Sequence, residues 1–185
     1  MRFFIALEIP AESQAQLENV QEKLKDLISR VRLTDSNKLH LTLAFVGEQP
    51  DSLQPDLIEI IKQAAQNVPS FEITPAYIDG FPSIHNPNTI WVGVKGDIDK
   101  LLLIREWIKD GLENLKLIVD ERRFTPHIAI AKVKDLHIDS RTENTLASIM
   151  AKNFDPIKIT SIKLFESIPE DGLHRHNTLA EIKLL

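Results

Sequence analysis

The chain has 185 residues, 43% of them hydrophobic and 26% charged, the balance of a globular protein long enough to bury a sizeable core. It contains no cysteine, which removes disulfides, thiolate nucleophiles and cysteine-based metal centres and agrees with a cytoplasmic setting. The net charge of −5 argues against a grip on long nucleic acid through its phosphates; an acidic chain that acts on nucleic acid is expected to read an end or a small piece, through a local basic patch.

Residues Arg2–Ile9 read as a buried strand, and Pro10-Ala11-Glu12-Ser13 opens a helix. The apolar start is broken by Glu8, too short for a signal-peptide core, and no later run approaches a membrane span. No targeting segment and no membrane partner are therefore expected. Leu17, Val20, Leu24, Leu27, Ile28 and Val31 recur at helical spacing. Leu39–Val46 alternates as a strand and Gly47–Asp51 breaks it. Leu57, Ile58, Ile61, Ala64, Ala65 and Val68 mark a second helix, and Phe71–Ile78 a third strand. Gly80–Asn88, with Pro82 and Pro87, reads as a loop.

The order then repeats. Thr89–Val94 is a strand, and the apolar positions from Leu101 to Leu115 give a helix with Arg105 near its rim. Phe124–Val133 is a strand, Ser140–Lys152 a helix, Ile157–Phe165 a strand and Leu179–Leu184 the last strand. Strand-helix-strand-helix-strand occurs twice, so the fold class expected is α+β, with two lobes around a cleft. The pseudo-repeat lobes span approximately 1–79 and 89–185 of a single domain, 1–185, with exchange of strands between them left open.

Each half has a histidine leading its second strand: His40-Leu41-Thr42-Leu43 and His127-Ile128-Ala129-Ile130. They stand 87 residues apart. Side chains alternate on a strand, so His40 and Thr42 share a face opposite Leu41 and Leu43. Histidine can give or take a proton near neutrality, and a hydroxyl can donate to a phosphoryl oxygen. One histidine on each side of a 2′,3′-cyclic phosphate would supply a general acid and a general base, each contributing about 10²–10⁴-fold. Neither a metal nor another cofactor is needed for this. A lone His-x-Thr on a strand more often reflects packing; the weight here rests on the shared position in two matching halves.

The chain resembles the two-histidine (2H) phosphoesterases, in particular the LigT-like RNA 2′,3′-cyclic phosphodiesterases, or 2′-5′ RNA ligases. The resemblance rests on Arg2, Phe4, Ala6 and Pro10, on Leu39–Glu48, on Phe81-Pro82 and Ile90–Val94, on Arg122, Phe124, Pro126 and His127, and on Leu164–Ser167. It implies antiparallel sheets flanking a central cleft, helices outside, and metal-free hydrolysis of a 2′,3′-cyclic phosphate to a 2′-phosphate. For some members it implies reversible 2′-5′ joining of RNA ends. Carried over, His40 is the proton donor, His127 the proton acceptor and Thr42 a phosphoryl ligand. The partners implied are RNA ends or small cyclic nucleotides, and a monomer is favoured.

The chain also departs from that pattern. Ala129 stands where the second threonine is usual; Thr125, which shares parity with His127 if the strand runs through it, is a candidate substitute. Lys132 replaces a common arginine, keeping the charge but losing the bidentate fork. Strict alternation turns Lys132 away from His127. Leu33 replaces a frequent tryptophan, and Gly172–His176 lacks an expected aromatic residue. His174 and His176 are in a position to touch a ligand but read rather as a polar turn. Arg122 and Arg123 are the best basic pair for RNA phosphates, against a bland reading as surface partners of Asp120 and Glu121. Trp91 reads as core, and His85 and His137 as incidental. The alternative to an enzyme is a degenerate relative that holds a nucleotide or RNA end without turnover. A histidine metal site lacks ligands at metal spacing.

Overall fold

A computed structural model describes residues 1–119 and 123–185. Strand β1 (Arg2–Glu8) leads to α1 (Ala11–Leu27), β2 (Arg32–Leu33), β3 (His40–Glu48), α2 (Gln54–Gln66) and β4 (Phe71–Phe81). Then come β5 (Thr89–Gly96), α3 (Ile98–Asn114), β6 (His127–Lys132), α4 (Ser140–Met150), β7 (Ile157–Ile159), β8 (Ser161–Glu170) and β9 (Leu173–Lys183).

The strands form one curled antiparallel sheet in the order β7-β4-β5-β6-β3-β1-β8-β9, with β2 paired to β6. The α+β architecture is the one expected, and its two sheet halves meet at β3 and β6, where Leu41 pairs with Ile128. Strand β4, early in the chain, pairs with β5; β8, late in the chain, pairs with β1. Leu17, Leu24, Leu57, Ile61, Leu101, Ile104 and Leu146 on the helices pack with Ile5, Leu41, Leu43, Ile128 and Ile130 in one core. Each such buried aliphatic side chain contributes about 1.5–3 kcal/mol. The other face of the sheet is left for a cleft.

Several elements differ from their sequence reading. Helix α1 stops at Leu27: Ile28 is already extended (φ −125) and Arg30 has φ +61, so Val31 lies outside the helix despite its spacing. The run Ile157–Phe165 is two strands, β7 on β4 and β8 on β1, at opposite ends of the sheet. Strand β6 starts at His127 rather than Phe124; Pro126 has no N–H to give a ladder. Strand β4 extends through Gly80 and Phe81. The expected polar turn at 172–176 shrinks to Asp171-Gly172, whose φ values of +50 and +77 make the reversal, and His174 and His176 lie on β9. Arg105 is not at a rim but buried, its guanidinium 5.2 Å from the Phe124 ring centroid.

Both histidine strands carry a bulge three residues after the histidine. In β3, Ile5 pairs with Ala44 and Ala6 with Thr42, leaving Leu43 unmatched. In β6, Ile90 pairs with Ala131 and Trp91 with Ala129, leaving Ile130 unmatched. A bulge inserts one residue and reverses the alternation beyond it. Leu43 and Ala44 therefore both face the core, as do Ile130 and Ala131. The Ile130 carbonyl freed by the bulge accepts from the Gln21 side chain at 2.9 Å and from the Thr34 N–H at 2.9 Å. Gln21 is buried on α1 and gives a second hydrogen bond to the Thr34 carbonyl at 2.8 Å.

Candidate active site

Cross-strand register assembles the cleft face, because paired residues in an antiparallel sheet project to the same side. From β5 and β6 come Gly93 with His127, Trp91 with Ala129, and Thr89 with Lys132. From β1 and β3 come Glu8 with His40, Ala6 with Thr42, and Phe4 with Phe45. Strand β8 adds Lys163 and Phe165, and β9 adds His176 opposite Ser167. Extending the Leu41–Ile128 register by one residue sets Thr42 across from His127 and His40 across from Ala129.

The two histidines are held the same way. His40 Nδ1 lies 2.8 Å from the Lys38 carbonyl oxygen, and His127 Nδ1 lies 2.8 Å from the Thr125 carbonyl oxygen. A carbonyl only accepts, so each Nδ1 carries the proton and donates it. In both neutral rings Nε2 is then the free lone pair, the tautomer a cleft-facing acid or base needs.

Each ring also sits in an aromatic cradle. His40 is 5.3 Å from Phe4 and 5.3 Å from His176 between ring centroids, and Phe4 stacks on Phe165 at 5.0 Å. His127 is 4.9 Å from Phe81 and 5.5 Å from Trp91. The offset of 87 that relates the histidines also relates Phe4 to Trp91, Lys38 to Thr125, and the bulged Leu43 to Ile130. Trp91 is buried, as its core reading predicts. Gly93 is required beside His127: a Cβ there would lie 2.1 Å from the Tyr77 ring.

The electrostatics of the two histidines differ. Burial lowers the pKa of His40; the Lys38 carbonyl opposes that, His127 adds to the lowering, and the Glu8 carboxylate opposes it. Burial also lowers His127; the Thr125 carbonyl opposes it and the Lys132 ammonium adds to it. Thus an anion faces His40 and a cation faces His127. Glu8 is itself held by an ion pair with Lys163, whose side chain is mostly buried. His176 is pushed down to about 4, by burial first and then by His40, Lys38 and His174.

The cleft beside His127 has a volume of about 820 Å³, with Thr42, Phe45, Phe81, Arg105, Arg123 and Thr125 among its lining. Arg123 is exposed there; Arg122 falls outside the described residues. Thr125 precedes the strand, so the parity that recommended its hydroxyl does not apply; its carbonyl anchors His127. Lys132 does not face away from His127. The bulge at Ile130 turns it onto the cleft face, where Nζ donates to Thr89 Oγ1 at 2.8 Å. The matching bulge brings the exposed Phe45 to the cleft as well.

Sequence reasoning missed Glu8, Lys163, Arg105 and Phe45, and for His176 it favoured a polar turn over contact with a ligand. Glu8 and Phe45 carried a signal, since each lies on or beside a motif strand; the others arrive by tertiary pairing. His85 and His137 stay apart from the cleft histidines, His85 bonding to the Ile138 carbonyl at 3.2 Å and His137 to Asn86 at 3.3 Å. Among the described residues, no group of three or more His, Cys, Asp or Glu is gathered as a metal site requires, and no helix is long and apolar enough to cross a membrane.

Comparison with known proteins follows the same lines. The family model of the 2′-5′ RNA ligase superfamily matches residues 9–164. The chain is 25% identical over 167 residues to an RNA 2′,3′-cyclic phosphodiesterase of Methanocaldococcus jannaschii, covering 90% of this chain and 91% of that protein. It is 28% identical over 159 residues to an RNA 2′,3′-cyclic phosphodiesterase of Thermotoga maritima, covering 86% and 81%. The fold matches a Thermus thermophilus protein, TT0787, with a TM-score of 0.80, 22% identity and coverage of 100% and 98%. It matches Escherichia coli LigT complexed with 3′-AMP with a TM-score of 0.78, 21% identity and coverage of 99% and 97%.

Proposed function

Because the chain belongs to the 2′-5′ RNA ligase superfamily, we propose that it is an RNA 2′,3′-cyclic phosphodiesterase, opening terminal cyclic phosphates to 2′-phosphates by two-histidine acid–base catalysis. The observation that carries this reading is the pair of Nδ1-anchored imidazoles on one cleft face, each presenting Nε2. Relatives of similar length named for that activity support the substrate class.

His127, faced by Lys132, is the base: its neutral Nε2 takes a proton from water as the water oxygen attacks phosphorus. His40, faced by Glu8, is the acid: its protonated Nε2 gives a proton to the 3′ oxygen as the P–O3′ bond breaks. The product is a 2′-phosphate and a free 3′-hydroxyl. Thr42, across from His127, holds a phosphoryl oxygen. Arg123 and Lys132, with Arg122 where the sequence motif recommends it, meet phosphates of the RNA. With the 5′-hydroxyl of a second RNA in place of water, the same proton transfers would form a 2′-5′ bond as P–O3′ breaks, and their reversal would cleave that bond back to the cyclic phosphate. The two halves, 1–79 and 89–185, are pseudo-repeats in this reading; the shared anchors, cradles and bulges support it.

The test is direct. An RNA oligonucleotide ending in a 2′,3′-cyclic phosphate is incubated with enzyme and chelator, and the product is identified by position of phosphate. A 2′-phosphate is expected, with H40A and H127A each slower by roughly 10²–10⁴-fold. Turnover that survives both substitutions would sink the mechanism. Binding of 2′-phosphates without any turnover would instead favour a degenerate nucleotide-binding relative, the reading that Ala129 recommends.

A further inference from the structure

The second motif has Ala129 where the first has Thr42, so one side of the cleft lacks a hydroxyl. Register places that vacancy next to His40. His176 reaches the same imidazole from β9. Its ring lies 5.3 Å from His40 at 80°, and 4.9 Å from Phe4 at 71°. It projects to the cleft face opposite Ser167. Besides His40, its ring neighbours are the apolar Phe4 and Phe165, while Lys38 and His174 act on it electrostatically. Among the described residues, no protein group is hydrogen-bonded to the His176 ring, whereas each of the other five histidines has a hydrogen-bond partner.

A half-buried ring with an unused N–H, over an apolar floor, is arranged for a ligand. We propose that His176 donates a ring N–H to a phosphoryl oxygen of the cyclic phosphate, taking the place of the hydroxyl that Ala129 lacks. The donor persists in either neutral tautomer, because a neutral imidazole always keeps one N–H. The ring stays neutral through the working range, its pKa being held at about 4 by burial and by the neighbouring His40, Lys38 and His174. It therefore acts as a hydrogen-bond donor and does not compete with His40 or His127 for the transferred proton. Glu8, Lys163 and His127 face His40 from the other strands and are unchanged by this role.

This inference rests on the cyclic phosphodiesterase reading, and the experiment separates the two. Steady-state turnover of adenosine 2′,3′-cyclic phosphate and calorimetric binding of adenosine 2′-phosphate are measured for H176F, H176Q and H176F/A129T. H176F keeps an aromatic ring against Phe4 and His40 but has no donor. It is expected to lose roughly 10- to 100-fold in kcat/KM and in 2′-phosphate affinity, the worth of one hydrogen bond to a charged oxygen. H176Q, with an amide N–H, and A129T on the H176F background are expected to recover most of the loss. An H176F enzyme with wild-type kcat/KM and affinity overturns the proposal. So does an equal loss in H176F and H176Q with no recovery by A129T, which would mark a packing role. If the wild type binds adenosine 2′-phosphate but turns nothing over, the hydrolytic reading fails, and the affinity of H176F alone decides the role of His176.

Discussion

Leu41 and Ile128 are cross-strand partners, and each directly follows a cleft histidine. The halves of the sheet therefore meet at the point where the two imidazoles converge. A one-residue slip of either strand against the other would turn that strand's histidine toward the core.

Two imidazoles with lowered pKa values set the pH dependence. The proposed mechanism needs His127 neutral and His40 protonated. Burial lowers both from the ordinary 6.5. The kcat/KM profile is accordingly expected to be a bell whose alkaline limb falls below about pH 6.5. A plateau extending to pH 8 would contradict this order of protonation.

Glu8 opposes the loss of the His40 proton, and Lys163 holds Glu8 in place. Glu8→Gln removes that support and leaves the Lys163 ammonium facing the site. The alkaline limb of kcat/KM is expected to move to lower pH, with the acid limb less affected. Lys163→Met leaves the Glu8 charge uncompensated and should move the same limb upward. Equal displacement of both limbs by either variant would count against His40 as the acid.

His176 also predicts an acid sensitivity of the fold. Its folded pKa, about 4, lies below the unfolded value near 6.5. A group of this kind contributes stability above pH 6.5 that is lost as pH falls toward 4, because the unfolded chain binds the extra proton. Thermal melts should thus drop in Tm between pH 7 and pH 4, and H176F should flatten part of that drop. Identical pH slopes for H176F and wild type would refute the linkage.

The bulge in β6 depends on Gln21, which satisfies the freed Ile130 carbonyl and the Thr34 carbonyl. Gln21→Leu keeps the volume and removes both bonds. The Ile130 carbonyl keeps its bond from the Thr34 N–H, so a total cost of about 1–3 kcal/mol in denaturant unfolding is expected, chiefly from the Thr34 carbonyl. Since the bulge turns Lys132 onto the cleft face, the same variant should raise KM for RNA more than for a cyclic mononucleotide.

Gly93 pairs with His127 beneath the Tyr77 ring. Gly93→Ala puts a methyl group where the ring lies, an overpacking of about 1–3 kcal/mol. The double variant with Tyr77→Ala should recover stability. Failure of the second substitution to relieve the first would mean that backbone, not the ring, sets the requirement.

Much of this was legible along the chain. The leucine–histidine–leucine–threonine alternation placed His40 and Thr42 together and the leucines in the core, and the structure keeps that division. The long helices followed their apolar spacing, except where Ile28 turned extended and released Val31. Strand periodicity failed where a bulge intervened: Lys132 and Phe45 both lie one residue past the point where counting by two stops working. Arg105 was misplaced because a helix position tells which face a residue occupies, not whether Phe124 will fold over it.

The sequence by itself determined the chemistry that is local: two histidines at the heads of strands, one hydroxyl two residues on, no thiolates, and an acidic chain with few places to hold RNA. The tertiary structure alone decided which charge faces which histidine, that Lys132 turns toward the cleft, and that His176 arrives from the far end of the chain beside His40. The physical reason is the reach of the forces involved. Alternation and helical spacing follow from the geometry of neighbouring residues, whereas bulges and cross-strand pairs depend on partners distant in the chain, such as Ile5 with Ala44 and Ile90 with Ala131 at the bulges, and Glu8 with Lys163 and Gln21 with Ile130 from further still.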